Sequence, residues 1–286
     1  MRKLLRGNMG SVRFGWKLLC VILAGMVMNV VINGVMSLKV GEKALIPNAS
    51  FTAYFQAPSL YFAISVIAGV CLVEKRKLRT IGLPGSLSGL LQSTAGGILG
   101  AMCCIAAFLV LGAVGIAHYP EGWFRLDWGR LNFAMIVTGS LFPAVGEELF
   151  FRGYALEGMV QAWGSRAAVP VSALLFSLMH SANSGITAIA LLNLWIFGCF
   201  LALVRVRGCS LWYAIGFHFA WNLVQGSLYD SVVSGDREGG LIRVQLTGQP
   251  IWSGGAFGIE ASLLVTVLLS ALTGAALWRS NQASCD

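Results

Sequence analysis

The chain has 286 residues, of which 57% are hydrophobic and only 11% charged, with a net charge of +8 and a mean hydropathy of +0.75. Repeated apolar runs near the ~20 residues needed to cross a hydrocarbon core exclude an ordinary soluble enzyme and place the chain among polytopic membrane proteins. The basic residues neither line one amphipathic face nor alternate with stacking aromatics, so the expected surroundings are a lipid bilayer, with no nucleic acid as partner.

The N-terminal run Met1-Arg-Lys-Leu-Leu-Arg6 is basic like a signal peptide. The apolar stretch that follows, 16–38, is too long and lacks a small-x-small cleavage site, so an uncleaved first span is expected. Further apolar stretches at 51–73, 92–117, 131–153, 167–184, 185–205, 209–227 and 257–278 bring the expected total to about eight transmembrane helices. The fifth and sixth are joined only by Ser181-Ala-Asn-Ser-Gly185, where a re-entrant or shortened helix fits almost as well. An extracytoplasmic loop is expected at 228–256. Its Leu241-Ile-Arg-Val-Gln-Leu246 run alternates apolar with polar residues as a short strand does, which points to a small ordered cap or hairpin.

Alternate loops differ in Lys and Arg, as the positive-inside rule requires. With the N-terminus in the cytoplasm, most of the 20 basic residues fall on the inner side, including Lys75, Arg76, Lys77, Arg79, Arg205 and Arg207. The expectation is an integral protein of a bacterial cytoplasmic membrane with both termini cytoplasmic. Its fold class is all-α, one transmembrane domain over 1–286 formed as a helical bundle around a polar catalytic cavity. The seven cysteines include no CxxC pair, so neither a disulfide framework nor a cysteine-ligated zinc site is expected. Gly96-Gly-Ile-Leu-Gly100 is read as close helix packing without chemistry.

Glu147 and Glu148 stand side by side in Gly146-Glu-Glu-Leu-Phe-Phe-Arg152. A carboxylate within a span costs at least ~2.5 kcal/mol on insertion scales, which makes an intramembrane acidic pair a functional-site hypothesis. Of the chain's 3 histidines, His180 and His218 fall in apolar runs. His218 and Asn222, four residues apart, share a helical face. At ~1.5 Å per residue both histidines lie roughly 15 to 21 Å from the inner ends of their helices. If the fourth helix continues past Arg152, Glu147 reaches a similar depth, so the groups converge in the inner half or middle of the bundle. Glu260, at the start of the last span, is read as an interfacial or outer-loop contact, and His118 as solvated.

In this order, Glu147-Glu148-x-x-x-Arg152, Phe176-x-x-x-His180 and His218-x-x-x-Asn222 resemble the CPBP family, which includes type II CAAX prenyl endoproteases and Abi-type proteins associated with bacteriocin processing or immunity. Each motif is weak alone, and the ordered triple on membrane helices is specific. The run Ser253-Gly-Gly-Ala-Phe-Gly-Ile-Glu-Ala-Ser262 also resembles a segment of bacterial members. The resemblance implies an intramembrane endopeptidase whose catalytic core spans 131–227. By similarity Glu147, beside Glu148, is the general base that activates water, and His180 positions that water. His218 and Asn222 donate to the oxyanion, while Arg152 and Phe176 support the site.

The same residues leave alternatives open. Glu147, His180 and His218 make a three-ligand set for a divalent metal such as zinc, with a fourth position for water; family members have been described both ways. The substrate is a peptide or membrane protein, prenylated for some relatives. A non-catalytic scaffold or bacteriocin-immunity protein with the same fold is the alternative function. A proton-relaying transporter is disfavoured because no halves repeat.

Overall fold

The computed structural model describes residues 14–40, 58–237 and 239–283. The basic N-terminal run and the first residues of the expected second span, 51–57, lie outside them. Among the described residues the chain forms long helices: α1 (Phe14–Val40), α2 (Pro58–Val73), α3 (Leu87–Ala113), α4 (133–163), α5 (Ser165–Met179), α6 (Ala188–Val206), α7 (211–228) and α8 (Leu263–Ala283). Phe14–Val35, Leu87–Ala113 and Ala188–Val206 are long and apolar enough to cross a membrane by themselves, and Pro58–Val73, Ser165–Met179 and Leu263–Trp278 are shorter apolar helices. Large apolar side chains such as Val30, Leu72, Leu90, Met102 and Val267 are exposed on the outside of the bundle, as a lipid-facing surface requires. The protein is an all-α polytopic membrane protein.

The fifth and sixth apolar runs are two separate helices. α5 stops at Met179, and α6 starts after a turn at Thr187, whose side chain accepts from the Ala190 N–H. This hydroxyl satisfies an amide that the first helical turn leaves without a backbone partner. The fourth run extends well past its expected end at 153, continuing to Trp163 before Gly164 turns the chain at φ +79°.

α4 is not uniform. It widens into π-helix at Ile136–Leu141 and again at Leu149–Ala155, on either side of the α-helical turns Phe142–Glu148. Pro143 lies just after the first widening. It has no N–H to offer the carbonyl one turn back, and its ring crowds that carbonyl, so a looser turn relieves the conflict. α7 likewise passes from α-helix to π-helix directly after Asn222. Such widened turns recur at functional sites because they re-aim side chains without breaking the helix.

Two close crossings fix the bundle around α4 and α7. A Cβ on Gly146 would lie 1.9 Å from the Ser59 carbonyl oxygen, so α2 crosses α4 backbone to backbone beside the acidic pair. A Cβ on Gly96 or Gly100 would meet the Tyr213 or Phe217 carbonyl at 2.1 or 2.4 Å, and one on Gly216 the Ser93 carbonyl at 2.1 Å. The glycines of α3 therefore serve close packing, against the helix that carries His218. The obstacles are backbone, so Gly216→Val must part the helices. A loss of about 1–3 kcal/mol or more is expected, read as a lower unfolding temperature in detergent.

The loops fall at two ends of the bundle. One end holds 74–86, Gly164 and 207–210. There Glu74 lies within 3.3 Å of Lys17 and 3.1 Å of Arg76 and accepts from the Tyr154 hydroxyl at 2.9 Å, while Arg76 also pairs with Glu157. Burial pushes the Glu74 carboxyl up, but the hydrogen bonds from Arg76, Tyr154 and Lys17 outweigh it and leave the group below its ordinary value of 4.5. A depressed carboxyl stabilises the fold above its unfolded value and loses that contribution as pH falls through the folded one. The stability gap between wild type and Glu74→Gln is therefore expected to narrow as the pH drops below 4.5, measured by thermal unfolding across acid pH.

The other end holds 114–132, 180–187 and 229–262. In it β1 (Ala117–His118) pairs antiparallel with β4 (Gln245–Leu246), and β2 (Val232–Val233) with β3 (Asp236–Arg237). Of the short strand expected over 241–246 only Gln245–Leu246 forms, paired with β1, and the hairpin within 228–256 lies earlier, at Val232–Arg237. His118 is exposed and lies 3.0 Å from the Thr247 hydroxyl.

Candidate active site

The α-helical turns between the two widened segments of α4 carry Glu147 and Glu148, and successive positions point them in different directions. Glu148 is fully buried, and Arg152 is 1% exposed in mid-helix, far from the headgroup position that a helix-end arginine would take. Arg152 Nη1 donates to Glu148 Oε1 at 2.9 Å, and its guanidinium carbon lies 4.2 Å from the centre of the Phe176 ring. The charge pair is thereby matched by a hydrogen bond and an aromatic face, which a charge removed from water requires.

His218 is attached to the same carboxylate. Its Nδ1 lies 3.0 Å from Glu148 Oε1. A carboxylate only accepts, so this contact assigns the proton to Nδ1 and leaves Nε2 for other partners. The Phe197 ring centre stands 5.3 Å from that of His218, holding the imidazole in place. Glu148, Arg152, Phe176 and His218 thus form one connected buried group drawn from α4, α5 and α7.

Glu147 faces the other way. It lines a cavity of about 560 Å³ together with Ser59, Thr138, His180, His218 and Asn222. The Ser59 hydroxyl donates to Glu147 Oε1 at 3.3 Å, a contact set up by the crossing at Gly146. His180 caps the C-terminal end of α5. Its Nδ1 lies 2.9 Å from the Phe176 carbonyl oxygen, which assigns the donor to Nδ1, and its Nε2 is 3.9 Å from Glu147 Oε2. That last separation is too long for a direct hydrogen bond and suits a bridging water. All seven residues singled out from the sequence are close together, four of them, Glu147, His180, His218 and Asn222, around the cavity and three, Glu148, Arg152 and Phe176, packed behind it.

The metal alternative is not matched by this arrangement. Among the described residues no three His, Cys, Asp or Glu side chains gather into a group able to hold a metal ion. In the proposed set of Glu147, His180 and His218, the Nδ1 atoms donate to Glu148 and to the Phe176 carbonyl, so only the two Nε2 atoms are left as ligand positions.

Sequence reasoning missed two participants. Ser59 belongs to no motif, and only the crossing at Gly146 brings it to Glu147. Glu260 is buried, and of the two contacts expected for it, interfacial or outer-loop, it makes the second. Its carboxylate accepts from both the amide and the hydroxyl of Ser234, at 2.8 and 2.9 Å, tying down the turn between β2 and β3. With His180, His218 and Ser234 it lines a second cavity of about 20 Å³, room for about one water. A third acidic residue in an otherwise apolar terminal segment was the available signal.

The cavity opens at the end of the bundle formed by 114–132, 180–187 and 229–262, since its lining reaches Pro58, Thr138, Asn183, Val233, Asp236 and Arg237. Glu147 and His218 stand in the middle turns of α4 and α7, whereas His180 lies at the end of α5 rather than at the depth expected for it, and the opening faces away from the loops at 74–86 and 207–210.

Residues 128–224 match the family model described as type II CAAX prenyl endopeptidase Rce1-like. No curated protein matches the chain. The chain is an integral membrane protein whose residues 128–224 are similar to the Rce1-like type II CAAX prenyl endopeptidase family.

Proposed function

We propose that this protein is an intramembrane endopeptidase that hydrolyses a peptide bond of a membrane-associated protein or peptide with a glutamate-activated water. The observation that carries the reading is the pair formed by Glu147 and His180, which face one cavity at a separation of 3.9 Å. A water between them gives one proton to Glu147 Oε2 and the other to His180 Nε2, which leaves an oxygen lone pair directed at a carbonyl carbon. As the C–O bond forms, Glu147 takes the proton. It returns that proton to the nitrogen as the C–N bond breaks, releasing a carboxylic acid and an amine.

The negative charge that develops on the carbonyl oxygen needs donors fixed in advance. The Asn222 amide and a protonated Nε2 of His218 supply them from one face of α7. Glu148, which accepts from both Arg152 and His218 Nδ1, fixes the orientation of the ring, so Glu148 acts as a positioning residue. Residues 131–227 form the catalytic core, the membrane is the cytoplasmic membrane of a bacterium, and α1 begins and α8 ends on the cytoplasmic side.

The test is cleavage of a pool of membrane-tethered peptides by the purified protein in liposomes, read by mass spectrometry with and without a metal chelator. Defined products in both conditions are expected. Absence of products from the folded protein overturns the reading, and loss of cleavage restored by zinc overturns its metal-free form.

A further inference from the structure

We propose that the catalytic cavity is entered from the non-cytoplasmic face of the membrane, and that the substrate is an exported, membrane-tethered polypeptide engaged through an extended segment on that face. The substrate class rests on the endopeptidase reading, whereas the side of entry does not.

The first observation is geometric. The lining runs from Glu147 and His218, in the middle turns of α4 and α7, to residues at the end that holds 114–132, 180–187 and 229–262, and none comes from 74–86 or 207–210. The β2–β3 hairpin forms the rim, with Asp236 and Arg237 exposed.

The second observation is the charge balance of the two ends. At the rim end, Arg125 lies 3.9 Å from Glu121, Arg130 lies 3.0 Å from Glu121 and 3.1 Å from Asp127, Arg237 lies 2.9 Å from Asp230, and Arg243 lies 3.9 Å from Glu121. Each of these basic groups has a carboxylate nearby, and three of them share Glu121. At the opposite end Lys75, Lys77, Arg79, Arg166 and Arg207 have no carboxylate within ion-pair distance among the described residues. Lys and Arg in short loops stay on the cytoplasmic side during insertion whatever acids accompany them, and the end with Lys75, Arg76, Lys77, Arg79, Arg166 and Arg207 carries more of them than the rim end, which leaves the cavity mouth on the other side.

The third observation concerns what can enter. A volume of about 560 Å³ is in the range of a small-molecule or short-peptide pocket and too small for a folded domain. Glu147 stands near the middle of α4, so a scissile bond must descend from the rim as extended chain, where its backbone groups meet polar atoms of the cavity rather than lipid. A polypeptide tethered by one span and unstructured just outside the membrane meets both needs.

Two measurements separate the side of entry from the activity. Asp236→Cys at the rim and Lys77→Cys at the opposite end are labelled with a membrane-impermeant maleimide in right-side-out and inside-out vesicles, with wild type as the background. Asp236→Cys is expected to label only in right-side-out vesicles and Lys77→Cys only in inside-out ones; the reverse pattern overturns the proposal. In the second measurement, single-span reporters carry the same library of extended segments on one face or the other, with Glu147→Gln as control. Cleavage confined to outward-facing segments and lost in Glu147→Gln supports the proposal, and cleavage of inward-facing segments overturns it while leaving the protein an endopeptidase. No cleavage on either face, with Asp236→Cys labelled externally, overturns the substrate class together with the endopeptidase reading.

Discussion

Glu147→Gln is expected to lower kcat for peptide cleavage by about 10²–10⁴-fold, the usual contribution of a positioned general base, with little change in KM or in unfolding temperature. The carboxamide keeps the size of the side chain and still accepts from the Ser59 hydroxyl at Glu147 Oε1, but it cannot take a proton from water. Substrate binding draws on the cavity walls and not on this proton transfer, so the loss falls on kcat. His180→Gln retains a polar group near the bridging position and is expected to lose less. Single-turnover cleavage of a liposome-tethered peptide, beside thermal unfolding of the same preparations, reads both effects. A Glu147→Gln protein that cleaves at the wild-type rate would remove Glu147 from the mechanism.

Arg152→Ala is expected to have the largest effect on stability, about 3–5 kcal/mol, because it strands the buried Glu148 carboxylate without its ion partner. Water cannot replace the guanidinium at a position where Glu148 is fully buried, and the Phe176 face loses its cation as well. Adding Glu148→Gln to Arg152→Ala removes the stranded charge and is expected to recover a large part of the loss, a coupling that a double-mutant cycle measures directly. By contrast, Arg130→Ala at the partly exposed pair with Glu121 is expected to cost under about 1 kcal/mol. Equal effects of the two arginine variants would contradict the assignment of Arg152 as the buried counter-ion. The Arg152→Ala protein that remains folded is also expected to lose activity, since Glu148 then no longer holds His218 as a stable hydrogen-bonded partner.

The sequence by itself determined the fold class and the candidate residues. Hydropathy marks the apolar helices because a bilayer admits only segments that satisfy their own backbone hydrogen bonds. Scarcity marks the polar residues, because each ionisable group in a span carries an insertion cost and must have a reason to be there. Spacing placed His218 and Asn222 on one face of α7, and both line the cavity.

Only the tertiary structure divided the labour between the two adjacent glutamates. Neighbouring positions on a helix diverge by about 100°, so which one faces Arg152 and which one faces the cavity depends on where α2, α5 and α7 pack and on the widened turns of α4, which no periodicity announces. Ser59 reaches Glu147 only because Gly146 lets two backbones touch, and Glu260 reaches Ser234 across 26 residues of chain. The direction of the cavity mouth is of the same kind. Sequence counts the charges in each loop, but which charges find partners, and which end of the bundle the polar groups open toward, follow from three-dimensional packing.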